Sequence, residues 1–532
     1  MMKKYYLLST LCGLAFLSSC KDDYTFHPEY PLKVEVDREV EANVDVAETF
    51  QIIDGFGASD AWLMDIIGKY WSKENKEGIA KLLFSREKDE NGNPEGIGLS
   101  MWRFNVGAGT VEKGHEGNIE EISTRTECFL QEDGSYAWNK QQGQQYFMEK
   151  AKEYGCEQFV LFSNSAPVWY TKNGLGHTTN GENNLKLEHY GDFADFLANV
   201  TAYFQSKGYN IPFVSPVNEP EYEWTGGQEG CRWSNEDLQR LAIELERSFS
   251  EKELKTMLLL TESGHWDYLY SVGDRGPLYG NKIEELFIEG GKYYIGNLPH
   301  VPNIICAHSY YLDETWDILQ ETREKVNEVA TANGLKVYQS EWSMLGGAYE
   351  DYPSYDEASY MDLALSMAKV IYHDLVTGNM SSWCYWTAVA REIYSQKSRF
   401  YLVRVIPADG DYGDVKQSGS YSSSKNLWVL GNYSLFVKPG YQRVALNIPE
   451  SSRKFFGSAY ISPEQDQLVI VYNNLSDENI KVNTSLNGIN NKIVLSCEQY
   501  TTSASKDLKL EEDYRKGIIP SKSVVTFVYT LK

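Results

Sequence analysis

The chain has 532 residues, 42% of them hydrophobic and 14% aromatic. It is too long for one ordinary domain and too apolar for a disordered chain, so a large domain with a smaller companion is expected. A formal net charge of −25 repels phosphate backbones and anionic lipid surfaces, which excludes nucleic acid as a partner and disfavours strongly anionic polysaccharides.

The first segment reads as a targeting signal. Lys3 and Lys4 precede an apolar stretch from Tyr5 to Leu17, too short for a bilayer span. Leu17-Ser18-Ser19-Cys20 then resembles a bacterial lipobox. Cys20 is the expected lipidation site, residues 1–20 the lipoprotein signal peptide and residues 21–32 a linker. The expectation is an exported outer-membrane lipoprotein, at the cell surface or facing the periplasm, that meets the membrane only through its N-terminal lipid. An ordinary secretory signal with a chance cysteine is the alternative. Residues 33–50, with Val34, Val36, Val44 and Val46 in a β-rich stretch, read as N-terminal strands.

Residues 51–440 change pattern. Strand-like runs at 52–59, 98–106, 158–163, 213–217, 257–261, 303–308, 337–340 and 382–386 alternate with amphipathic helical runs. The helices carry their own start and stop signals: Ser72 and Ser234 as caps, and Gly155, Gly208 and Gly334 as ends. Eight strand–helix units in series argue for an α/β fold, a (β/α)8 TIM barrel. A doubly wound open sheet would want a Gly-rich phosphate turn, and Gly107-Ala108-Gly109 is too short a match. Over residues 441–532 the helical period is gone. The runs 467–472, 492–497 and 523–531 read as strands of a smaller all-β sandwich, which the N-terminal strands join because a barrel does not need them.

Six cysteines remain after the signal: Cys128, Cys156, Cys231, Cys306, Cys384 and Cys497. None has metal-ligand spacing, and neither a metal nor an organic cofactor is expected. Cys306 and Cys384 lie in apolar runs and read as buried thiols. Disulfide pairing stays open.

Barrel enzymes place their chemistry at the C-terminal ends of the strands. The fourth run ends in Asn218-Glu219-Pro220 and the seventh in Ser340-Glu341-Trp342. Paired carboxylates are what glycosidic cleavage needs: one protonates the leaving oxygen and the other attacks the anomeric carbon. Either glutamate alone also fits a blander role, a helix-entry turn for Glu219 or a surface position for Glu341. Their joint placement favours the catalytic pair. Trp62, Trp169, Trp342 and Trp386 lie at strand ends or their loops. Trp169 and Trp386 are the candidate sugar platforms, with core packing as the competing role.

Several motifs occur together and in order. They are Ile53-Asp54-Gly55-Phe56-Gly57-Ala58-Ser59, the stretch from Ser165 to Gly174, Ser434-Leu435-Phe436-Val437-Lys438-Pro439-Gly440, and the stretch from Pro520 to Thr526. With the two glutamates, they resemble glycoside hydrolase family 30, a barrel family of the clan whose catalytic glutamates end strands four and seven. The resemblance covers nearly the whole mature chain. It implies that Glu219 is the general acid/base and Glu341 the nucleophile, that Asn218 binds the sugar 2-hydroxyl, and that Arg103 holds Glu341 ionised. A structural salt bridge is an equal reading for Arg103, and both roles can hold together. Tyr310 would hydrogen-bond the nucleophile, with Tyr311 as competitor. His308 fits a core histidine or a site residue equally. Glu219 has to be protonated before attack while Glu341 is anionic.

The family acts on β-1,6-glucan, glucuronoxylan, glucosylceramide and β-1,6-galactan. The loop from Glu221 to Cys231, with Trp224 followed by Gln228-Glu229-Gly230-Cys231, resembles its endo-β-1,6-galactanase branch. Glu223 and Glu229 are candidates for sugar hydroxyls, a solvated acidic loop being the alternative. No basic cluster is placed for a glucuronic acid branch. The resemblance thus implies a monomeric, retaining endo-β-1,6-galactanase whose partner is a polysaccharide, the side chains of arabinogalactan. Other activities of the family, of β-1,6-glucanase, xylanase or glucosylceramidase type, are the alternatives. A non-catalytic surface glycan-binding lipoprotein would keep the aromatics but has no need of Glu219, Glu341, Asn218 and Arg103 together. A metal-dependent hydrolase would want His and Asp ligands at the strand ends.

Overall fold

A computed structural model describes residues 35–532 apart from 348, 353, 490 and 491. The expected signal peptide and linker, with Cys20, lie outside the described residues. The chain enters through a long strand, β1 (Arg38–Ile52). Eight strands follow: β2 (Gly55–Ser59), β3 (Met101–Asn105), β4 (Gln158–Phe162), β5 (Phe213–Ser215), β6 (Met257–Leu258), β7 (Ile304–His308), β8 (Lys336–Glu341) and β9 (Ser382–Tyr385). They form one parallel sheet in the order β6-β5-β4-β3-β2-β9-β8-β7. Its two ends meet where Ser263 bridges Ala307 in parallel. There Ser263 N–H donates to the Cys306 carbonyl at 3.3 Å and His308 N–H to the Ser263 carbonyl at 2.8 Å. The sheet is thereby a barrel, the fold class expected from the periodicity, with β5 and β8 as its fourth and seventh strands.

Strands covered on both faces read as continuous apolar runs rather than alternating ones, and β2 and β3 are buried along their whole length. Gly57 is needed where β2, β3 and β9 pack together. A Cβ there would stand 2.8 Å from the Met101 carbonyl oxygen and 3.1 Å from Cys384 Sγ, so only glycine fits. Cys306 and Cys384 are buried free thiols.

The helix starts follow their caps. Ser72 Oγ accepts from Asn75 N–H at 3.2 Å, and Ser234 forms a reciprocal box with Asp237. The helix Tyr360–Tyr372 begins where Ser359 and Asp362 make a reciprocal capping box. After β9 comes a three-stranded sheet that the pattern did not reveal: β10 (Val389–Ala390), β11 (Val403–Ile406) and β12 (Ser420–Ser423).

The companion domain is a nine-stranded sheet. Its other members are β13 (Gln442–Asn447), β14 (Phe455–Ile461), β15 (Gln467–Asn474), β16 (Ile480–Asn487), β17 (Val494–Ser503), β18 (Lys506–Leu510), β19 (Ile518–Ile519) and β20 (Ser523–Leu531). β1 lies between β13, antiparallel, and β16, parallel. Along β15, Leu468, Ile470 and Tyr472 enter this domain's own core with Val44 and Phe527, whereas Val469 and Val471 join the barrel's core. That is the strand period of two with both faces occupied. Each such buried aliphatic side chain contributes roughly 1.5–3 kcal/mol. Thr526 Oγ1 also donates to the Asn432 carbonyl at 2.7 Å, which fixes the sheet to the Lys425–Ser434 helix.

Candidate active site

The barrel mouth opens on a cleft of about 500 Å³ lined by Asn218, Glu219, Tyr222, Tyr310, Tyr311, Glu341 and Trp386, among others. Glu219 follows β5 and Glu341 ends β8, so the two carboxylates face each other from opposite arcs of the sheet. Arg103, from β3, donates through Nη1 to Glu341 Oε1 at 2.6 Å, and Tyr310 donates its hydroxyl to Glu341 Oε2 at 3.2 Å. The competition between Tyr310 and Tyr311 is settled by burial: Tyr310 is 3% exposed and on the carboxylate, while Tyr311 is 49% exposed on the cleft wall. Asn218 is buried against the cleft with its Oδ1 unpartnered.

His308, left open by the sequence, belongs to the site. It is fully buried, and its Nδ1 lies 2.9 Å from Glu219 Oε1 and 3.5 Å from Glu341 Oε2. Its Nε2 lies 3.3 Å from Glu262 Oε2. Glu262, which the sequence reading missed, is 0% exposed. It accepts from Ser215 Oγ and from Ser340 Oγ, the latter at 2.6 Å, and lies 3.6 Å from Arg103 Nη2. The available signal was a carboxylate directly after the strand-like run 257–261.

Backbone strain collects at the same place. Glu219 (φ 40°), Trp224 (φ 45°), Glu262 (φ 31°) and Tyr311 (φ 57°) are all left-handed without being glycine. Such residues persist only when the surroundings over-determine them. Glu219 N–H donates to the Glu262 carbonyl at 2.9 Å, so two strained residues hold each other.

The electrostatics follow from burial and opposite charge. Burial alone would raise the Glu262 carboxyl, but the Arg103 charge and the His308 hydrogen bond outweigh it and hold it down at about 2. Burial would likewise make His308 less basic. The Glu341 charge and the bonds to Glu219 and Glu262 prevail, and the imidazole is pushed up to about 10. Burial raises Glu341 above the ordinary carboxylate range, against the lowering pull of His308 and Arg103. Burial and the Glu341 charge hold Tyr310 as a neutral phenol.

Two expected sugar contacts fall elsewhere. Glu229 is 0% exposed. It accepts from Thr126 Oγ1, from Thr110 Oγ1 at 2.7 Å and from Ala108 N–H at 3.0 Å. It therefore anchors the 221–231 loop onto the loop after β3 and does not reach the cleft. Burial pushes its carboxyl up to about 7, against these donors. Trp169 is not in the cleft either. Its Nε1 donates to the Leu130 carbonyl at 3.2 Å, and Lys113 Nζ sits 4.8 Å over the ring. Trp386 does line the cleft, edge-on to Trp62 at 5.1 Å. It also borders an adjoining groove of about 300 Å³ that contains Trp62 and Arg391. Trp342 is core, its Nε1 donating to Asp313 Oδ2 at 2.7 Å. Glu223 is half exposed and lies 3.7 Å from Arg232. Trp224 packs over Gly230, where a Cβ would stand 2.4 Å from the indole, so this loop wall also depends on a glycine.

Among the described residues no group of three or more His, Cys, Asp or Glu is arranged to hold a metal ion. Two carboxylates across a cleft, one on an arginine and both on a histidine, form an arrangement suited to acid/base and nucleophilic work on a neutral acetal.

The chain is 27% identical to an endo-β-1,6-galactanase of Hypocrea rufa over 249 residues, 43% of this chain and 50% of that protein. It thus spans half the length of that relative. It is 22% identical to the glucuronoxylanase XynC of Bacillus subtilis over 522 residues, 94% of this chain and 93% of the relative. The crystal structure of a conserved exported protein from Bacteroides fragilis superimposes with a TM-score of 0.84 at 33% identity, covering 92% of this chain and 99% of that one. A family model described as O-glycosyl hydrolase family 30 matches residues 39–400. With the carboxylates at the ends of the fourth and seventh barrel strands, the chain belongs to O-glycosyl hydrolase family 30.

Proposed function

We propose that the protein is a retaining endo-β-1,6-galactanase in which Glu219 is the general acid/base and Glu341 the nucleophile. The observation that carries the reading is the shared contact on His308 Nδ1, 2.9 Å from one carboxylate and 3.5 Å from the other. The nearest oxygens of the pair can be no farther apart than these two distances together. That bound is compatible with the closer carboxyl pair of a retaining enzyme, the mechanism typical of the family that the chain matches. In the first step Glu341 attacks the anomeric carbon while Glu219 gives its proton to the departing oxygen. In the second Glu219 takes a proton from water, which displaces Glu341. Asn218, which lines the cleft beside Glu219, supports a hydrogen bond to the 2-hydroxyl.

The galactan assignment rests on the Glu221–Cys231 loop and the galactanase relative. An acidic cleft supports a neutral glycan, because the cleft's Arg275 is engaged by Tyr268 at 3.4 Å and Asp274 at 3.5 Å. The exported lipoprotein reading of residues 1–20 belongs to the same proposal, and the exported neighbour supports it. The deciding experiment is a panel of β-linked glycans read by product size. Short β-1,6-galacto-oligosaccharides are expected. Xylo- or gluco-oligosaccharides in their place would overturn the substrate, and no release from any glycan would favour the binding-protein alternative.

A further inference from the structure

Glu262 is a buried carboxylate of the site that double displacement does not use. Four groups close a ring through it. Arg103 spans Glu341 (2.6 Å) and Glu262 (3.6 Å), and His308 spans Glu262 (3.3 Å) and Glu341 (3.5 Å). The charges alternate around the ring, and all four side chains are at most 3% exposed. Glu219 attaches to it through His308 Nδ1 at 2.9 Å. The strands supply the parts in turn: Arg103 from β3, Ser215 from β5, Glu262 after β6, His308 from β7, and Ser340 and Glu341 from β8.

We propose that Glu262 is a positioning residue that keeps His308 doubly protonated, so that one fixed positive charge faces Glu341 before attack and Glu219 after it. The inference rests on the glycosidase reading of the pair. His308 moves no proton in this scheme. With Glu341 ionised, the ring of two cations and two anions is neutral. Once Glu341 is an ester its charge is gone and the ring holds one excess positive charge. At that moment Glu219, having protonated the leaving oxygen, is anionic and 2.9 Å from the imidazolium. The same cation therefore compensates the nucleophile in one half of the cycle and the base in the other. Buried charges of this kind need a partner at each donor. Glu262 supplies it for Nε2, while Ser215 and Ser340 orient the carboxylate. The charged or titratable groups facing His308 are Glu219, Glu262, Glu341, Arg103 and, on its own segment, Tyr310.

The test is a titration of the full-length protein carrying 15N-labelled histidine, with His308→Gln used only to assign the resonance. In the wild type His308 is expected to be an imidazolium at pH 8. In Glu262→Gln it is expected to be neutral there, and Glu262→Asp is expected to restore the charge in part. A neutral His308 in the wild type at pH 7 overturns the proposal even if the Gln variant fails to fold. A kinetic arm uses an aryl β-galactoside with a good leaving group, whose first step needs little acid help. Glu262→Gln is expected to lower kcat tenfold or more and to lower KM with it, as the ester accumulates. Unchanged titration and unchanged kcat also overturn the proposal. If the wild type cleaves neither this substrate nor any glycan of the panel, the functional reading falls while the titration still decides the role of Glu262.

Discussion

Replacing Arg103 by methionine removes a cation held between two buried carboxylates while roughly keeping side-chain volume. Arg103 and Glu341 are 2% and 3% exposed, so water cannot take the place of the lost partner. Breaking such a pair costs about 3–5 kcal/mol of stability, because the remaining charges stay buried and uncompensated. The same loss acts on catalysis. A hydrogen bond to a charged group is worth roughly 1.5–3 kcal/mol, and each pKa unit corresponds to about 1.4 kcal/mol. The Glu341 carboxyl, already raised by burial, should rise further once the lowering pull of the Arg103 charge and hydrogen bond is gone. In the proposed mechanism activity needs Glu341 ionised, so it falls as pH drops through that value. The acid limb of kcat/KM should therefore lie above the ordinary glutamate range of about 4.3 in the wild type, and move further alkaline in Arg103→Met. Urea unfolding and a pH–rate profile measure the two effects. An unshifted limb, or a variant as stable as the wild type, would refute the reasoning. Arg103→Lys should recover part of the stability but not the full rate, since an ammonium cannot span Glu341 and Glu262 as the planar fork does.

Tyr310→Phe should lower kcat by roughly tenfold with little change in KM, because one charge-assisted bond to Glu341 is lost; a KM effect alone would contradict this. Trp386→Ala should raise KM on oligosaccharides, whereas Trp169→Ala should change stability and leave KM alone, since only the former ring faces the cleft. Glu229 sits at about 7 in the fold against about 4.3 in an unfolded chain. Its contribution to stability is full below about 4.3 and is lost as pH rises towards 7. Glu229→Gln should gain relative to the wild type between pH 5 and 8 in chemical denaturation. A constant difference across that range would show that the buried carboxyl does not titrate there.

The barrel was legible because its strands are buried on both faces and its helices carry their own caps. Ser72, Ser234 and Gly155 mark boundaries by local chemistry that tertiary packing does not override. Glu219 and Glu341 were legible for a related reason: a glutamate directly after a buried strand has only the barrel mouth to occupy. The short strands β10–β12 were not, since pairs of two to four residues leave no period to read. Glu229 and Trp169 failed as sugar contacts for one physical reason. Sequence places a side chain on a loop but does not give the loop's fold, and both turned inward onto the loops after β3. Glu262 follows the 257–261 run just as directly and was missed because double displacement asks for only two carboxylates. Its meaning comes from Ser215, His308 and Ser340, which are distant in sequence and meet only when the barrel closes at Ser263 and Ala307.

The measurement that bears most directly on the account is trapping of the glycosyl-enzyme. A 2-deoxy-2-fluoro-β-galactosyl donor with a good leaving group should form the ester and turn it over slowly, and peptide mapping by mass spectrometry should place the sugar on Glu341. A label on Glu219, or turnover with no label and an inverted anomeric product, would contradict the assignment of the two carboxylates.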